Sequence, residues 1–220
     1  MVTSSLFHLA ARFYGWMTAQ KTWRDHCQKL VEGIPTDRPL RIVDLGCGPG
    51  VSTFEIARVR PAHDTICGLD FARGMLEEAK RRARDPENRD LPAGRITWLR
   101  GDAGRLPFRD GSIDVLTGHS FLYLLPDRAA ALRECRRVLR PGGRLVLMEP
   151  NRTPSIRKAL RVSRNPPFLL SMILWRPFSR LYGRFTPEAL AEILDAAGFK
   201  EARAEETLAG MGLLARAIVP

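Results

Sequence analysis

The amino-acid sequence predicts an α/β fold built on a mostly parallel, seven-stranded sheet with helices on both faces. One observation is that short apolar runs alternate with amphipathic segments of helical period between residues 41 and 150. Another is that the apolar run 41–45 enters the turn Gly46-Cys47-Gly48-Pro49-Gly50, which opens into a helix near Val51. Glycines permit a sharp turn and let a ligand approach the backbone without meeting a Cβ atom. We therefore expect a ligand site where the first strand passes into its helix.

The individual elements follow from local patterns along the chain. The predicted strands are residues 41–45, 65–69, 96–99, 113–116, 144–148, 200–207 and 211–218. The predicted helices are residues 4–31, 51–60, 72–84 and 127–139, and a last helix that Thr186 caps, Pro187 begins and Gly198 ends. Pro141-Gly142-Gly143 predicts a turn before the fifth strand. Because no repeat or low-complexity linker interrupts this series, we expect residues 1–220 to form a single domain.

Composition narrows the class of protein. The 220 residues suffice for one domain with a sizeable core. The four cysteines contain no C-x-x-C pair, so we expect reduced thiols and a cytoplasmic protein. The amino terminus lacks the basic start of a secretory signal, and the longest apolar run, residues 168–175, is far shorter than the about 20 residues that span a bilayer. The histidines show no ligand-like spacing with acids or cysteines, so we expect no metal site.

The glycine spacing and the acid before it indicate which ligand the turn binds. The pattern is G-x-G-x-G rather than the G-x-G-x-x-G of dinucleotide-binding folds. Asp44 stands just before the turn, where a carboxylate would repel a pyrophosphate and attract an ammonium or sulfonium group. These features favour S-adenosyl-L-methionine (SAM) over NAD.

Four segments in order resemble the motifs of the class I SAM-dependent methyltransferases. They are residues 43–50, residues 68–76, residues 101–108 with 110–115, and residues 134–143. Within that class the chain is most similar to the branch that contains the ubiquinone and menaquinone C-methyltransferases, the methyltransferase type 11 branch. The resemblance covers residues 40–150 and implies a Rossmann-like fold, SAM as methyl donor and S-adenosyl-L-homocysteine as product. It does not specify the methyl acceptor.

Residues near the carboxyl ends of the strands are the candidates for cofactor binding. Asp70 ends the second strand 20 residues beyond Gly50, where its carboxylate can accept hydrogen bonds from ribose hydroxyls or cap the next helix. The resemblance implies that Asp102 accepts a hydrogen bond from the adenine amino group and that the next backbone N–H faces the ring. Met75 could contact adenine or pack in the core. The complete set is Tyr14, Asp44, Gly46, Cys47, Gly48, Gly50, Asp70, Phe71, Met75, Asp102, Ala103 and His119.

The catalytic candidates are His119, Tyr14 and Tyr123. His119 ends the fourth strand, at the sheet edge where ligands of open α/β folds bind. Methyl transfer from SAM is an in-line displacement, and an oxygen or ring-carbon acceptor must also lose a proton, for which His119 is the first candidate base. A structural or solvated histidine is the alternative. Tyr14 corresponds to a tyrosine with which related enzymes contact the methionine moiety of SAM, and Glu149 is a weaker candidate base.

Residues 151–184 form a basic, apolar segment after the fifth strand, where the family inserts an element that caps the substrate. The segment has eight arginines and lysines and no acidic residue. Apolar residues edged by cations suit a lipophilic acceptor, such as a quinone-like compound, a lipid or an aromatic metabolite, and an anionic membrane surface. A solvated basic face over a packed lid explains the pattern equally well. Residues 1–35 are predicted to form a helical lid, packed on the domain, closing over the cofactor or lying on a membrane surface.

The net charge of +11 also raises the alternative of an RNA methyltransferase that binds nucleic acid through its basic surface. The pattern disfavours it, because the aromatic residues of this segment lie in an apolar run instead of alternating with the cations. Asn165-Pro166-Pro167-Phe168 spells a motif of amino-group methyltransferases, but it stands 45 residues after Ser120, so we expect a loop and not a catalytic site. The sequence leaves the oligomeric state open.

Overall fold

The structure is a computed structural model that describes residues 20–91, 94–152 and 166–220. Its seven strands form one sheet in the order β3-β2-β1-β4-β5-β7-β6. The strands are β1 (Arg41–Leu45), β2 (Thr65–Asp70), β3 (Ile96–Arg100), β4 (Ile113–His119), β5 (Leu139–Pro150), β6 (Lys200–Thr207) and β7 (Gly212–Ile218). β1 to β5 are parallel, and β7 lies antiparallel between β5 and β6. This arrangement confirms the predicted Rossmann-like, mostly parallel sheet.

Helices cover both faces of the sheet. They are α1 (Lys21–Cys27), α2 (Val51–Val59), α3 (Arg73–Arg82), α4 (Arg128–Val138), α5 (Pro166–Tyr182) and α6 (Pro187–Ala196). Single 3-10 turns occur at Gln28–Val31, Pro86–Asn88, Leu122–Leu124 and Leu208–Gly210. Neighbouring strand residues point to opposite faces, so Val115 packs in one apolar cluster with α2 and Leu116 in another with α4 and α6. Because both faces are covered, most residues of the central strands are apolar, and Asp44 and Thr117 are buried polar exceptions.

Several element boundaries differ from the sequence prediction: β4 ends at His119 instead of residue 116, and two further differences change the local structure. β5 begins at Leu139 rather than at residue 144, because Leu139 pairs with Ile113 and Arg144 with Val115 across an irregularity in the ladder. The expected turn is present inside the strand, where Gly142 has a φ of 71°. The expected loop at residues 165–168 is wrong for its last three residues: Pro166, Pro167 and Phe168 lie in the first turn of α5. Proline suits that turn, where backbone N–H groups have no helical partner.

The described part of the amino-terminal helix is α1 and the 3-10 turn that follows it. Tyr14 and the apolar stripe predicted for residues 6–17 lie outside the described residues, as do residues 153–165 of the cap segment. Within the described ranges no helix has both the length and the apolar character needed to cross a membrane.

α1 and α5 meet in a third apolar cluster, which we call the aromatic cluster. Its buried members are Trp23, Phe168, Met172, Trp175, Leu208 and Met211. The indole N–H of Trp23 donates a buried hydrogen bond of 2.9 Å to the hydroxyl of Ser171. The Trp23 ring also stands edge-on to the ring of His119, with 5.8 Å between centroids. The aromatic cluster therefore lies against the carboxyl end of β4.

Candidate active site

The glycine turn after β1 has the strained geometry that its sequence predicts. Gly46, Gly48 and Gly50 have φ angles of 61°, 52° and 84°. Residues with a Cβ atom adopt this left-handed backbone conformation only at a cost in free energy. The turn is held to the end of β2 by two hydrogen bonds: Cys47 N–H donates to the Leu69 carbonyl at 3.1 Å and Gly48 N–H donates to Asp70 Oδ2 at 2.8 Å. The turn and the end of β2 therefore form one rigid rim.

At two of these glycines, the atoms that come close to the backbone belong to other side chains of the protein. A Cβ atom on Gly46 would lie 2.7 Å from Cδ2 of Phe121, and one on Gly50 would lie 2.7 Å from Cη2 of Trp98. We expected glycine here to make room for a ligand. At these two positions the structure instead requires glycine for packing and for the backbone angle.

Asp70 has the geometry of a ribose acceptor. Its Oδ1 accepts the N–H of Ala72 and its Oδ2 the N–H of Gly48, both at 2.8 Å. Each carboxylate oxygen has a further acceptor site, so these bonds leave capacity for two hydroxyl donors. Burial raises the pKa of this carboxyl, and the two N–H donors oppose that shift. Asp70 therefore does not act as the expected helix cap, because the N-cap of α3 is Ala72 and has no side-chain cap bond, and the role of Asp70 as a ribose acceptor stays a prediction.

The adenine candidates lie on the neighbouring strand ends. Phe71 follows β2 with 68% of its surface exposed, and the guanidinium of Arg100 lies 5.9 Å from its ring centroid. Asp102 is exposed and accepts the N–H of Gly104 at 2.8 Å, while Ala103 is buried. Met75 is half-buried in the first turn of α3. An exposed aromatic face beside free carboxylate lone pairs fits an adenine ring and its amino group.

Asp44 is placed differently from our expectation. Its side chain is fully buried and accepts hydrogen bonds from Ser52 Oγ at 2.6 Å, Thr53 Oγ1 at 2.7 Å and Thr117 Oγ1 at 2.9 Å. Burial raises the pKa of the carboxyl, and the three hydroxyl donors oppose that shift. Asp44 thus joins β1, the start of α2 and β4 from beneath the turn. The structure gives it a positioning role, and the expected contact with a cationic ligand stays a prediction.

Sequence reasoning missed the three hydroxyl partners of Asp44. Ser52 and Thr53 are adjacent in the first turn of α2, which is a visible signal for a hydrogen-bonded acid nearby. Thr117 is 73 residues away from Asp44 in sequence, and only the pairing of β1 with β4 brings the two side by side.

His119 is the titratable group that stands at the centre of the site. It ends β4, and its Nε2 is buried without a hydrogen-bond partner among the described residues. Burial lowers the pKa of His119 to about 4, with a smaller contribution from the charge of His26. The imidazole is therefore neutral at pH 7, and one ring nitrogen is available to a ligand. An orphaned buried nitrogen is costly and is typical of functional sites.

Glu149 and Tyr123 are turned away from this site. Ser120 has a φ of 53°, and the chain after it folds so that Glu149 accepts the N–H groups of Phe121, Leu122 and Tyr123 at 3.1, 2.7 and 3.2 Å. The Tyr123 side chain is only 2% exposed and packs in the core with Leu122. This placement disfavours Tyr123 and Glu149 as bases, and their catalytic role stays a prediction. The hydrogen bonds of Glu149 fix the loop that follows His119.

The thiol of Cys47 is buried in the turn, and its burial raises its pKa well above the ordinary value, so the group is neutral. The four cysteines of the chain are free thiols. Within the described ranges, no three histidine, cysteine, aspartate or glutamate residues lie together in a way that could hold a metal ion.

Comparison with known proteins agrees with this geometry. Residues 43–147 match the family described as "Methyltransferase domain". A demethylmenaquinone methyltransferase of Staphylococcus haemolyticus is 36% identical over 129 residues, covering 59% of this chain and 50% of that protein. An uncharacterized 37.1 kDa protein in transposon TN4556 of Streptomyces fradiae is 42% identical over 109 residues, covering 50% of this chain and 30% of that protein. The chain thus spans half or less of the length of these two relatives.

A solved structure shares the fold at low sequence identity. The SAM-dependent methyltransferase from Aquifex aeolicus superposes with a TM-score of 0.67 at 15% identity, over 88% of this chain and 89% of that one. The strand order of this chain is therefore that of the methyltransferase fold. The match to the "Methyltransferase domain" family covers residues 43–147, just under half of this chain.

Proposed function

We propose that this chain transfers the methyl group of SAM to a small, lipophilic acceptor that binds beside His119 and the aromatic cluster. The observation that carries the proposal is the unpartnered Nε2 of His119 against an apolar wall that contains Trp23. An apolar wall with few convergent polar atoms is typical of small-molecule sites. A quinone-like, lipid or aromatic acceptor has this chemistry, and one relative named above is a demethylmenaquinone methyltransferase.

The cofactor-binding residues hold the donor in the proposed reaction. The glycine turn and Asp70 bind the ribose, Phe71 and Asp102 face the adenine, and Asp44 keeps the turn in place through its hydroxyl partners. When bound, SAM supplies an electrophilic methyl group on a sulfonium centre. Positioning of two reactants can contribute on the order of 7–11 kcal/mol, so orientation is the main task of these residues.

His119 is proposed to accept a hydrogen bond or the proton from the acceptor as the methyl group is transferred. Its pKa of about 4 keeps the imidazole neutral at pH 7, and in the tautomer with the proton on Nδ1 the Nε2 atom is an acceptor but a weak base. Such a base suits an acceptor whose proton becomes acidic only as the methyl group is added, such as a phenol or hydroquinone oxygen or a ring carbon that the hydroxyl activates. Residues 1–35 and 151–184 are proposed as the lid and the cap of a single domain.

The first test is calorimetric titration of S-adenosyl-L-homocysteine into the wild type and Asp70→Ala. Asp90→Ala is the matched control, because Asp90 is an exposed acid in the turn after Asn88. We expect micromolar-range binding by the wild type and the control, and a loss of about tenfold or more in Asp70→Ala. Equal binding by all three proteins would refute the cofactor site.

The second test follows methyl transfer from labelled SAM to hydroquinones, phenols and lipid extracts by wild type and His119→Gln. For an active acceptor we expect kcat to fall in the variant while the affinity for S-adenosyl-L-homocysteine is kept. The wild-type rate should show no inflection near pH 6.5, because His119 stays neutral down to about pH 4. An inflection near 6.5 that disappears in His119→Gln would contradict the neutral-imidazole role.

Contact with an anionic membrane surface is a second proposal, carried by the outward face of α5. Leu170, Ile173, Leu174 and Leu181 are between 41% and 82% exposed on the side opposite the aromatic cluster. An apolar stripe flanked by arginines suits an interfacial helix on anionic lipid. We expect the wild type to float with vesicles that contain phosphatidylglycerol, and Ile173→Ser with Leu181→Ser to stay in solution. Val59→Ser, an exposed apolar residue of α2, is the control that should still float.

The RNA alternative gains no support from the matched family or the relatives described above. Binding of tRNA that persists at moderate salt would favour it, whereas salt-labile binding would reflect net charge alone.

A further inference from the structure

An arginine-lined cavity lies beside the end of β5, away from the glycine turn. It has a volume of about 470 Å³, and the described residues that line it are Arg152, Arg180, Gly183 and Arg184. Two backbone hydrogen bonds join its walls: Phe185 N–H donates to the Pro150 carbonyl at 3.1 Å, and Arg152 N–H donates to the Phe185 carbonyl at 2.7 Å. The cavity therefore sits where β5 meets the turn between α5 and α6.

The described residues that line this cavity include three arginines and no acidic residue. Residues 151–184 contain no acidic residue. Within the part of the chain that the structure describes, the side chains of Arg152 and Arg180 make no hydrogen bond or ion pair. Arg184 is held by Ser179 Oγ at 3.1 Å and by the carbonyl of Arg176. Burial and the neighbouring charge of Arg184 lower the pKa of Arg176 to about 10.

The helix dipole explains the position of only one of the arginines around this cavity. Arg180 lies in the last turn of α5, where the helix dipole favours a cation. Arg152 belongs to no helix, yet its guanidinium lines the same cavity. Behind Gly183 stands one more cation: a Cβ atom there would lie 3.3 Å from Nη2 of Arg128. Three arginines around open space, with no acidic residue among the described lining residues, have the arrangement of an anion site.

We propose that this cavity binds a phosphate group, carried either by a soluble phosphate ester or by a phospholipid headgroup. The planar guanidinium fork matches the oxygens of phosphate in a bidentate manner, and charge-assisted hydrogen bonds are the strong ones. Arg184 is fixed by its own hydrogen bonds and is preorganised, while Arg152 and Arg180 are free to close on the ligand. The cavity is open and large enough for a phosphate with part of its ester.

The site does not depend on the methyl acceptor, so the two proposals can fail separately. Glycerol 3-phosphate is the soluble probe, titrated calorimetrically in phosphate-free buffer. Vesicles of phosphatidylglycerol, with phosphatidylcholine vesicles as reference, are the lipid probe in a flotation assay. The test variant is Arg152→Gln with Arg180→Gln, whose side chains have no described partner to lose. The matched control is Arg109→Gln with Arg133→Gln, which removes two exposed arginines elsewhere. Binding of S-adenosyl-L-homocysteine checks that every variant is folded.

Glycerol 3-phosphate binding that weakens about tenfold or more in the test variant, and less than about twofold in the control, supports the site with a soluble ester as ligand. If the vesicles bind, the test variant weakens that binding and the control does not, and glycerol 3-phosphate does not bind, the result supports the site with a lipid headgroup as ligand. No binding to either probe, or equal weakening in test and control variants, overturns it. Because folding is read from S-adenosyl-L-homocysteine, neither result depends on methyl transfer.

Discussion

Glu149 provides a quantitative test of how the loop after His119 is held. Its buried carboxylate accepts three backbone N–H groups from residues 121–123. Burial nevertheless raises the pKa of Glu149 from an ordinary 4.5 to about 7, and the three N–H donors and the charge of Arg128 oppose that shift. The folded state therefore binds this proton more tightly than the unfolded chain does.

The sign of the pH dependence follows from that difference. A carboxyl whose folded pKa is raised contributes stability that is fully present below its unfolded pKa and is lost as the pH rises through the folded pKa. A pKa of about 7 against 4.5 corresponds to about 3 kcal/mol of unfolding free energy lost at high pH. Roughly 2–3 kcal/mol of this loss falls between pH 5 and pH 9.

Glu149→Gln removes this titration. The amide oxygen can keep the bonds to Phe121 and Leu122, but the amide NH₂ faces the Tyr123 N–H, which costs about 1–3 kcal/mol at any pH. In urea titrations at pH 5, 7 and 9 we expect the variant to be less stable than the wild type at pH 5. The gap should shrink by roughly 2–3 kcal/mol at pH 9. Glu192→Gln, on an exposed position of α6, is the control for loss of a carboxylate. A gap that stays constant across this range would refute the reasoning.

Three further predictions concern the turn, the histidine and the aromatic cluster. Gly46→Ala should lower the free energy of unfolding in urea by about 2 kcal/mol or more, because the added Cβ would meet Phe121 at 2.7 Å. Gly94→Ala, with φ of 77° and open space around it, should lower it by about 1 kcal/mol. Equal costs of the two substitutions would contradict the packing argument. His119 has a folded pKa of about 4, below its ordinary 6.5, so its stability contribution is present above pH 6.5 and about 3 kcal/mol is lost by pH 4. Acid titrations of unfolding should show that loss in the wild type and not in His119→Gln. A double-mutant cycle of Trp23→Phe and Ser171→Ala should give a coupling of about 1 kcal/mol for the buried hydrogen bond, and a coupling near zero would show that the bond contributes nothing.

The sheet was predictable because its strands carry their signal locally. Strands buried on both faces are continuous apolar runs, and β1 has the bounds that its sequence predicts. The start of β5 was not predictable in this way. Pro141-Gly142-Gly143 is a correct local turn signal, but Leu139 belongs to the strand through its pairing with Ile113. Local sequence does not contain that partner.

In the candidate site, too, some features are predictable from local sequence and others depend on tertiary contacts. His119 and Asp70 are at strand ends, and the parallel order of β1, β2 and β4 places those ends at one edge. Tyr123 follows His119 closely in sequence, and sequence alone therefore suggests that they share the site. The left-handed backbone of Ser120 and the hydrogen bonds to Glu149 turn Tyr123 into the core instead. The Ser120 backbone conformation and the hydrogen bonds to Glu149 both depend on tertiary contacts, which local sequence does not reveal.

Arg128 links the buried acid to the arginine-lined cavity. Its charge lowers the pKa of Glu149, and its guanidinium donates to the carbonyls of Tyr123 and Tyr182, both at 3.1 Å, beside Gly183. A phosphate in the cavity would offset part of the Arg128 field and so raise the pKa of Glu149 further. With glycerol 3-phosphate present, the pH at which the wild type loses stability should therefore move upward. The variant with both Arg152→Gln and Arg180→Gln should show no such movement. Equal movement in both proteins would mean that the ligand acts elsewhere, and no movement in the wild type despite measured binding would mean that Arg128 does not couple the two sites.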